Sequence, residues 1–598
     1  MSKEISGRIA ALRECMRQSG VSATIVPQTD PHQSEYIADH WQVRRWLSGF
    51  TGSAGSLVVT LDGAFVWADS RYWLQAGQQL AGTGIDVMEE GKPETPDIMS
   101  YLVASLPKGA TVGVDGMLFS INATRAMAHR LEAAGLRLAV DFTPVDSIWK
   151  DRPSLPDSKV FVHDVKYAGE SASSKLAKVV ERAEAAGAKS AFISDLAEIA
   201  WALNIRARDV ESNPVVTSFL YVAAEGSTLF VDGVKISAEV SAYLADNGVS
   251  TLPYNAVMSF LGALPEDARV LVSASQSAGA LEAVLGGRMV EGNSPIALLK
   301  GCKNDVQVEG IRNAMVRDGV ALVKSLMEIE KTLADGGELT EIGVAEILTK
   351  HRSAQPLYFD QSFDTIAGYG PHGAIVHYSA TEETNSRIYA DGMLLIDSGA
   401  SYLDGTTDIT RTVSLGNTTN AQRHDFTLVM KGHIALAQAI FPRGTRGEQL
   451  DVLARINLWK EGLSYLHGTG HGVGHFLNVH EGPQKISLVQ GTAPIEPGMI
   501  TSNEPGLYRE GEYGIRCENL VLTLPACTTD FGEFYRFETL TLFPFDLALF
   551  DTAIMTDGEI DWVNAYHVTV RERLLPHLEP AEQEWLLAKT VPLTRAND

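Results

Sequence analysis

Cysteines and long apolar runs are both scarce in this sequence, and each shortage limits what the chain can be. Its 598 residues include four cysteines and no CxxC pair, so neither a disulfide framework nor a cysteine-based zinc cluster is expected. The sequence has no uninterrupted run of about 18 apolar residues, and its amino-terminal segment lacks an apolar signal-peptide core. We therefore expect a cytoplasmic protein that is neither exported nor inserted in a membrane.

Basic residues are also few, with 49 Lys and Arg against 74 Asp and Glu and a formal net charge of -25. This charge would repel nucleic acid and anionic membranes, so neither is expected as the main partner. The hydrophobic fraction of 45% is that of a globular protein, and the length exceeds what one hydrophobic core usually supports. The chain should therefore contain several domains.

Two similar strand–turn–strand patterns predict a pair of related α/β domains. In Leu57–Asp69 and again in Leu220–Asp232, an apolar run meets an acidic-Gly turn, a second apolar run follows, and an Asp stands six residues after the Gly. Between them, Trp149–Asp157 contains two prolines and mixed charge, which is typical of a linker. The first two domains are predicted at residues 1–155 and 156–302.

A third domain is predicted at residues 303–598, with a carboxyl-terminal extension. Apolar residues recur at three- and four-residue steps from Val306 to Met327, which predicts a long helix. After Met393, short apolar runs end in Asp-Gly, Pro-Gly and Glu-Gly turns and alternate with helical stretches at 421–441 and 446–465. This mixture predicts an antiparallel sheet flanked by helices.

Four carboxylates of this third domain stand at or within strand-like runs. Asp397 ends the apolar run that starts at Met393, and a hairpin-like return of the chain would bring Asp408 beside it. Taken singly, each of the two is also typical of an ordinary aspartate at a strand end or turn. Glu504 ends a run that Pro505 and Gly506 break. Glu518 stands among apolar residues, where a carboxylate needs a cation or an ionic partner such as Arg516.

Histidines accompany these carboxylates in an unusual glycine-rich stretch. His467, His471 and His475 stand four residues apart, but four glycines between them disfavour a helix and indicate a loop or strand edge. The stretch lacks the Lys-Ser/Thr ending of a phosphate-binding loop, so nucleotide binding is not supported. Carboxylates with an imidazole suit Mn²⁺, Co²⁺ or Zn²⁺, and the charges of four carboxylates would balance two divalent ions. A water bridging two such ions is a nucleophile near neutral pH.

In order and spacing, these segments resemble the metal site of the creatinase and aminopeptidase P family, the "pita-bread" metallopeptidases. The motifs that carry the resemblance are Gly373–Tyr378, Asp397–Thr412, His467–His475, His480–Pro483, Asn503–Tyr508 and Gly514–Asn519. Further segments resemble the amino-terminal domains and the tail of the three-domain form, namely Thr29–His32, Arg44–Ser53, Ala68–Tyr72, Asn213–Val216 and Trp562–His567. The resemblance implies two creatinase-like α/β domains followed by a pita-bread catalytic domain with a curved, mainly antiparallel sheet.

The resemblance also implies a role for each motif residue. Two metal ions would be held by Asp397, Asp408, His471, Glu504 and Glu518, with Asp408 and Glu518 bridging both and Glu504 accepting a proton from the bridging water. The substrate would be contacted during catalysis by His377, His467 and His480. The ligands would be oriented by Arg516 and Tyr508.

Family likeness further implies manganese as the preferred metal, with Co²⁺ or Zn²⁺ possible, and peptides with proline in second position as substrates. The Xaa-Pro bond lacks an N–H, so its recognition needs a dedicated pocket. A homodimer is implied through the catalytic domain, where Trp459 lies in a matching segment. His372 departs from the smaller polar residue expected beside the His377 loop and would alter substrate contacts rather than metal binding.

The sequence leaves two alternative functions open, a prolidase and a non-catalytic binding module. A prolidase would share the metal site but cleave only dipeptides, and the length, the duplicated domains and the form of the His467–His471 motif disfavour it. A non-catalytic pita-bread binding module would have lost the ligands, whereas all five are present here. The preferred first residue, the peptide length, the physiological substrate and the native metal are not encoded in the motifs.

Overall fold

Helices and strands alternate through residues 2–595, the part of the chain that the computed structural model describes. The chain groups into one unit of residues 1–165 and 170–296 and a second of residues 166–169 and 297–598. Among residues 2–595, no helix has the length and apolar character that crossing a membrane requires. The predicted domain boundaries near residues 155 and 302 stay predictions.

The chain up to residue 296 contains short helices and strands in alternation. The helices are α1 Ser2–Gln18, α2 Val43–Ser48, α3 Trp73–Gln79, α4 Ile98–Ser105, α5 Ile121–Ala133, α6 Val145–Ile148, α7 Val165–Ala168, α8 Ala172–Ala185, α9 Leu196–Leu203, α10 Ala238–Asp246, α11 Val257–Gly262 and α12 Ala280–Leu285. The strands are β1 Ala23–Val26, β2 Ser56–Thr60, β3 Ala64–Ala68, β4 Asp86–Glu89, β5 Thr111–Gly113, β6 Arg137–Ala139, β7 Phe161–Val162, β8 Ser190–Ile193, β9 Ile205–Arg206, β10 Phe219–Ala223, β11 Ser227–Phe230, β12 Val249–Leu252, β13 Val270–Val272 and β14 Met289–Glu291.

Two six-stranded sheets in this unit have the same topology. Their orders are β4-β3-β2-β1-β5-β6 and β12-β11-β10-β8-β13-β14. In each, one antiparallel hairpin (β2–β3 or β10–β11) stands in a sheet whose outer pairs are parallel. The interior strands β1 and β8 are buried along their whole length, as strands with both faces covered are. The repeated pattern therefore confirms the prediction of two related α/β domains.

The chain from residue 297 onward contains longer helices and antiparallel strands. The helices are α13 Ala297–Gly301, α14 Asp305–Ala334, α15 Glu341–Ser353, α16 Asn420–Ala437, α17 Gly447–Trp459, α18 Asp557–Leu574 and α19 Pro580–Lys589. The strands are β15 Leu339–Thr340, β16 Tyr358–Gln361, β17 Ile366–Tyr369, β18 Arg387–Ile388, β19 Met393–Ser398, β20 Ala400–Tyr402, β21 Gly405–Thr406, β22 Ile409–Ser414, β23 Ile440–Pro442, β24 Gly470–Gly472, β25 Glu481–Ile486, β26 Ile500–Asn503, β27 Gly506–Arg509, β28 Tyr513–Arg516, β29 Asn519–Thr529 and β30 Gly532–Thr539.

Two antiparallel sheets of this unit support the candidate site. One has the order β17-β19-β22 and the other the order β23-β30-β29-β26-β24-β25. A single large apolar core runs from Ile311 on α14 to residues of α18 and α19, so the carboxyl-terminal segment packs into the same core. The α+β arrangement of antiparallel sheets and helices is confirmed, and α14 confirms the predicted long helix.

Three sequence-based boundaries are wrong in detail. The helix predicted at 421–441 ends at Ala437, because Ile440–Pro442 pairs with β30 and Pro442 cannot continue a helix. The helix predicted at 446–465 ends at Trp459, three residues before Gly462, which has φ +72°. Glu518, which the sequence predicts within one strand-like run, instead lies between two strands, because the chain leaves β28 and joins a different sheet as β29.

Candidate metal centre

Asp397 and Asp408 lie on neighbouring strands, as the hairpin-like return predicts. Asp397 is the fifth residue of β19 and is paired with Thr410 of β22, while Asp408 directly precedes β22. Both aspartates are buried, at 8% and 4% exposure. Burying two carboxylates on adjacent strands is costly unless positive charge reaches them.

Glu504 and His471 reach the same place from the six-stranded sheet. Glu504 follows β26, and its amide donates to the carbonyl of Thr469 at 2.8 Å. His471 lies in the short strand β24, where its amide donates to the hydroxyl of Ser502 at 2.9 Å. The glycine-rich stretch is therefore a loop that contains the short strand β24, which lies between β26 and β25, so the prediction that it is not a helix is confirmed. Gly470 permits the close approach, since a Cβ there would lie 1.9 Å from the Ser502 carbonyl oxygen.

Glu518 stands at the junction between β28 and β29, and two side chains of β22 hold this junction. Its amide donates to the Thr410 carbonyl at 3.0 Å, and the Thr410 hydroxyl donates to Glu518 Oε2 at 2.8 Å. The buried Arg411 guanidinium donates to the Glu518 carbonyl at 2.5 Å and to Asn519 Oδ1 at 2.7 Å. The carboxylate is thus fixed beside Asp397 and Asp408.

The nitrogen and oxygen atoms of these side chains converge on one point. His471 Nε2 lies 3.5 Å from Asp408 Oδ2 and 3.4 Å from Glu504 Oε1. One ligand atom each from Asp408, His471 and Glu518 lies within 4.8 Å of the others, close enough to share a cation. The structure therefore brings together residues from three separate stretches of sequence.

The electrostatics of the cluster show a shortage of positive charge. Burial, reinforced by the neighbouring carboxylates, raises the pKa of Asp408 and Glu518 well above the usual range. Burial also raises the pKa of Glu504 to about 7, although Arg516 opposes the rise. In residues 2–595, Asp397 Oδ1 is buried without a hydrogen-bond partner. Carboxylates crowded in this way, with a buried oxygen left over, fit hard divalent cations.

Arg516 and Tyr508 connect the cluster to His467. Arg516 donates to Asp397 Oδ2 at 2.6 Å and to the Tyr508 hydroxyl at 2.8 Å. His467 Nε2 lies 2.8 Å from the same hydroxyl. An ion pair between Arg516 and Glu518 was the alternative to a cation at Glu518, but the guanidinium bonds Asp397, because the chain turns between β28 and β29 and carries Glu518 toward Thr410.

The remaining predicted histidines differ in how closely the structure ties them to the cluster. The ring of His480 lies 4.3 Å from that of His471, centroid to centroid, at 74°. His377 is half-buried and follows the turn of residues 370–374, which packs against β28. His372 contacts a residue outside the cluster, since its Nδ1 lies 2.8 Å from the buried Glu341 carboxylate.

Three residues that the sequence does not predict, Thr410, Ser502 and Arg411, support the ligand side chains. Thr410 stands two positions after Asp408, and Ser502 stands two positions before Glu504. Ser502 donates to Glu504 Oε1 at 3.2 Å. Strand alternation could have identified both, because each stands two residues from a ligand candidate. Arg411 could not be found in this way, since its partners come from distant segments.

Comparison with known families agrees with this geometry. The model of "Metallopeptidase family M24" matches residues 309–524, and that of the "C-terminal region of peptidase_M24" matches residues 533–593. Two models of the "Creatinase/Prolidase N-terminal domain" match residues 8–150 and 151–307.

Similar proteins span nearly the whole chain. Aminopeptidase P2 of Arabidopsis thaliana is 39% identical, covering 99% of this chain and 89% of the relative. A probable Xaa-Pro aminopeptidase P of Aspergillus oryzae is 40% identical over 99% of this chain and 93% of the relative. The crystal structure of an X-prolyl aminopeptidase from Caenorhabditis elegans, described as a cytosolic enzyme with a di-nuclear active site, is 36% identical with a TM-score of 0.95, covering 99% of this chain and 100% of that one. This chain belongs to the aminopeptidase P family of M24 metallopeptidases.

Proposed function

We propose that the chain is a metal-dependent aminopeptidase that hydrolyses the first peptide bond of peptides with proline in second position. One observation carries the proposal: Asp408, His471 and Glu518 come from separate stretches of sequence and meet at one buried point beside Asp397 and Glu504. Relatives named as a probable Xaa-Pro aminopeptidase P and an X-prolyl aminopeptidase, each matching almost the whole chain, support the substrate class.

The proposed metal site takes two divalent ions. The ions would be held by Asp397, Asp408, His471, Glu504 and Glu518, and Asp408 and Glu518 would serve both. The di-nuclear site described for the similar nematode enzyme supports this number. Manganese is the proposed native metal, and oxygen-rich ligands are consistent with it, although Co²⁺ and Zn²⁺ accept the same donors. When bound, the ions supply Lewis-acid polarisation of the scissile carbonyl and activation of the attacking water.

The protein's own groups then hold the peptide and move protons. Glu504 has 18% of its side chain exposed, against 11% for Asp397 and 5% for Asp408. It is therefore the carboxylate best placed to accept the proton of the attacking water, and Ser502 orients it. The histidines His377, His467 and His480 are proposed to contact the substrate and the developing oxyanion. Arg516 holds Asp397, and Tyr508 joins Arg516 to His467.

A comparison of three peptides tests the substrate proposal. The metal-loaded protein is expected to cleave Xaa-Pro-Yaa tripeptides between the first two residues and to leave Met-Ala-Ser uncut. Cleavage of Xaa-Pro dipeptides with no action on the tripeptides would identify a prolidase instead. Absence of any cleavage by the fully metal-loaded chain would favour a binding module.

We further propose a cytoplasmic homodimer with domains at residues 1–155, 156–302 and 303–598. The cytosolic description of the nematode relative supports the location. On α17, Val452, Ile456 and Trp459 follow helical spacing and are 38%, 39% and 41% exposed, and Leu466 nearby is 72% exposed. An apolar stripe of this kind is typical of a subunit interface.

The stripe allows a direct test of the dimer. Sedimentation of the wild-type protein at micromolar concentration should give twice the chain mass of 64.7 kDa, and Trp459→Glu should shift it toward that mass. A single 64.7 kDa species in the wild type would contradict the dimer.

A further inference from the structure

A buried glutamate outside the carboxylate cluster holds both ends of the segment that contains His377. Glu341, the first residue of α15, is 0% exposed. Its carboxylate accepts hydrogen bonds from the backbone amides of Tyr369 and Ser386, each at 2.9 Å. The Glu341 amide in turn donates to the Ser386 carbonyl at 3.1 Å. The two ends of the segment of residues 369–386 are thus tied to one side chain.

The same carboxylate also binds the middle of the segment, on both sides of His377 in sequence. His372 Nδ1 lies 2.8 Å from Oε1, and the Tyr378 hydroxyl donates to Oε2 at 2.8 Å. The rings of His372 and Tyr378 stack, with centroids 4.4 Å apart and planes at 29°. Four donors therefore converge on Glu341, and His377 lies between two of them in the chain.

The other face of this segment packs against the strand that leads to the cluster. A Cβ on Gly514 of β28 would lie 1.7 Å from the Gly373 carbonyl oxygen, so the two backbones are in direct contact. Two residues further along β28, Arg516 holds Asp397. A shift of the segment would therefore change the position of His377 relative to the metal ligands.

We propose that Glu341 is a positioning residue for peptide hydrolysis, acting by fixing residues 369–386 so that His377 meets the substrate. This inference rests on the proposed function. A carboxylate suits the task because both of its oxygens only accept hydrogen bonds. Glutamine has nearly the same shape but replaces one acceptor with an NH₂ group, which would face the N–H and O–H donors around it. Glu341→Gln therefore perturbs the anchoring with little change in side-chain volume.

Hydrogen exchange measured by mass spectrometry tests the anchoring without reference to activity. In Glu341→Gln, the amides of Tyr369 and Ser386 should exchange faster than in the wild type. Glu346→Gln, at an exposed glutamate of the same helix α15, is the matched control, and the exchange of both amides should stay at the wild-type rate in it. Unchanged exchange at Tyr369 and Ser386 in Glu341→Gln would overturn the inference.

Kinetics of the metal-loaded protein on an Xaa-Pro-Yaa tripeptide test the connection to His377. A displacement of about 1 Å can reduce the rate about 100-fold, so Glu341→Gln should lower kcat/KM by about 10- to 100-fold with metal content unchanged. In the His377→Ala background the same substitution should have little further effect, whereas the control Glu346→Gln should be close to wild type. An equal loss in both backgrounds would reveal a general structural effect and contradict the inference.

Tyr378→Phe provides a second variant if Glu341→Gln fails to fold. It removes one of the four donors and keeps the ring that stacks on His372, so a smaller loss with the same dependence on His377 is expected. Equal losses with and without His377 would again contradict the inference. If the wild type cleaves no Xaa-Pro peptide, the proposed function is wrong, while the exchange comparison still decides whether Glu341 anchors the segment.

Discussion

Two buried clusters of charged side chains, one in each unit, balance their charge in opposite ways. In the first, the buried Asp209 is satisfied by one buried Lys235, by the Ser158 hydroxyl at 2.5 Å and by the Thr217 amide at 2.6 Å. In the second, Asp397, Asp408, Glu504 and Glu518 crowd together with Arg516, which bonds Asp397. A balanced pair is complete without a ligand, whereas an excess of carboxylates indicates a place for cations.

The largest effect on activity is expected at Glu504, the most exposed carboxylate of the cluster. Glu504→Gln should lower kcat on an Xaa-Pro-Yaa tripeptide by about 10²- to 10⁴-fold, because it removes the group proposed to accept the proton of the attacking water. Steady-state kinetics would measure this. Glu510→Gln, a nearby exposed glutamate, is the control and should retain activity. Near-normal turnover in Glu504→Gln would remove Glu504 from the mechanism.

Breaking the balanced pair should affect stability and leave the metal content unchanged. Lys235→Met leaves Asp209 as a buried charge without its cation, which costs about 3–5 kcal/mol in the free energy of unfolding. Urea unfolding would measure this loss, and the double variant with Asp209→Asn should recover part of it. Loss of bound metal in folded Lys235→Met would mean that the two regions are not independent.

Weakening the orientation of a ligand should have an intermediate effect on metal affinity. Arg516→Lys cannot reproduce the guanidinium bonds to Asp397 and Tyr508, so metal affinity should fall by about 10- to 100-fold. Titration with Mn²⁺ followed by calorimetry would measure the change. Arg509→Lys, at an arginine that bonds Asp425 outside the cluster, should bind metal normally. Equal losses in both variants would point to a general effect on β27 and β28.

The smallest expected effect is a pH dependence confined to the metal-free chain. Glutamate deprotonates near pKa 4.5 in the unfolded chain, whereas Glu504 does so at about 7 in the folded one. The protonated Glu504 side chain therefore stabilises the folded, metal-free chain below about pH 4.5. This contribution to the free energy of unfolding is lost as the pH rises through about 7. Across this window, Tm should fall more in the metal-free wild type than in metal-free Glu504→Gln. Identical profiles would show that Glu504 does not titrate with folding.

Much of the fold and of the site was predictable because local pattern decides it. Alternation and Pro-Gly turns placed Asp397, Asp408 and Glu504 at strand ends, and the repeated acidic-Gly turns revealed the paired α/β sheets. The break at Glu518 was not predictable, because the exchange of strand partners between β28 and β29 depends on the tertiary fold.

Buried supporting residues were the harder part. In sequence, Glu341 looks like an ordinary acidic residue in the first turn of a helix, where it would interact with the helix dipole. Its actual partners at Tyr369, His372, Tyr378 and Ser386 follow it by 28 to 45 positions. No local rule relates residues at such separations, so only the folded chain reveals the network.

A count of bound metal tests the contrast between balanced and excess charge most directly. After saturation with Mn²⁺ and removal of free ions, elemental analysis should find two ions per chain in the wild type, two in Lys235→Met and fewer in Glu518→Ala. Wild-type protein that folds with Asp408 and Glu518 intact yet retains no divalent ion would contradict the account.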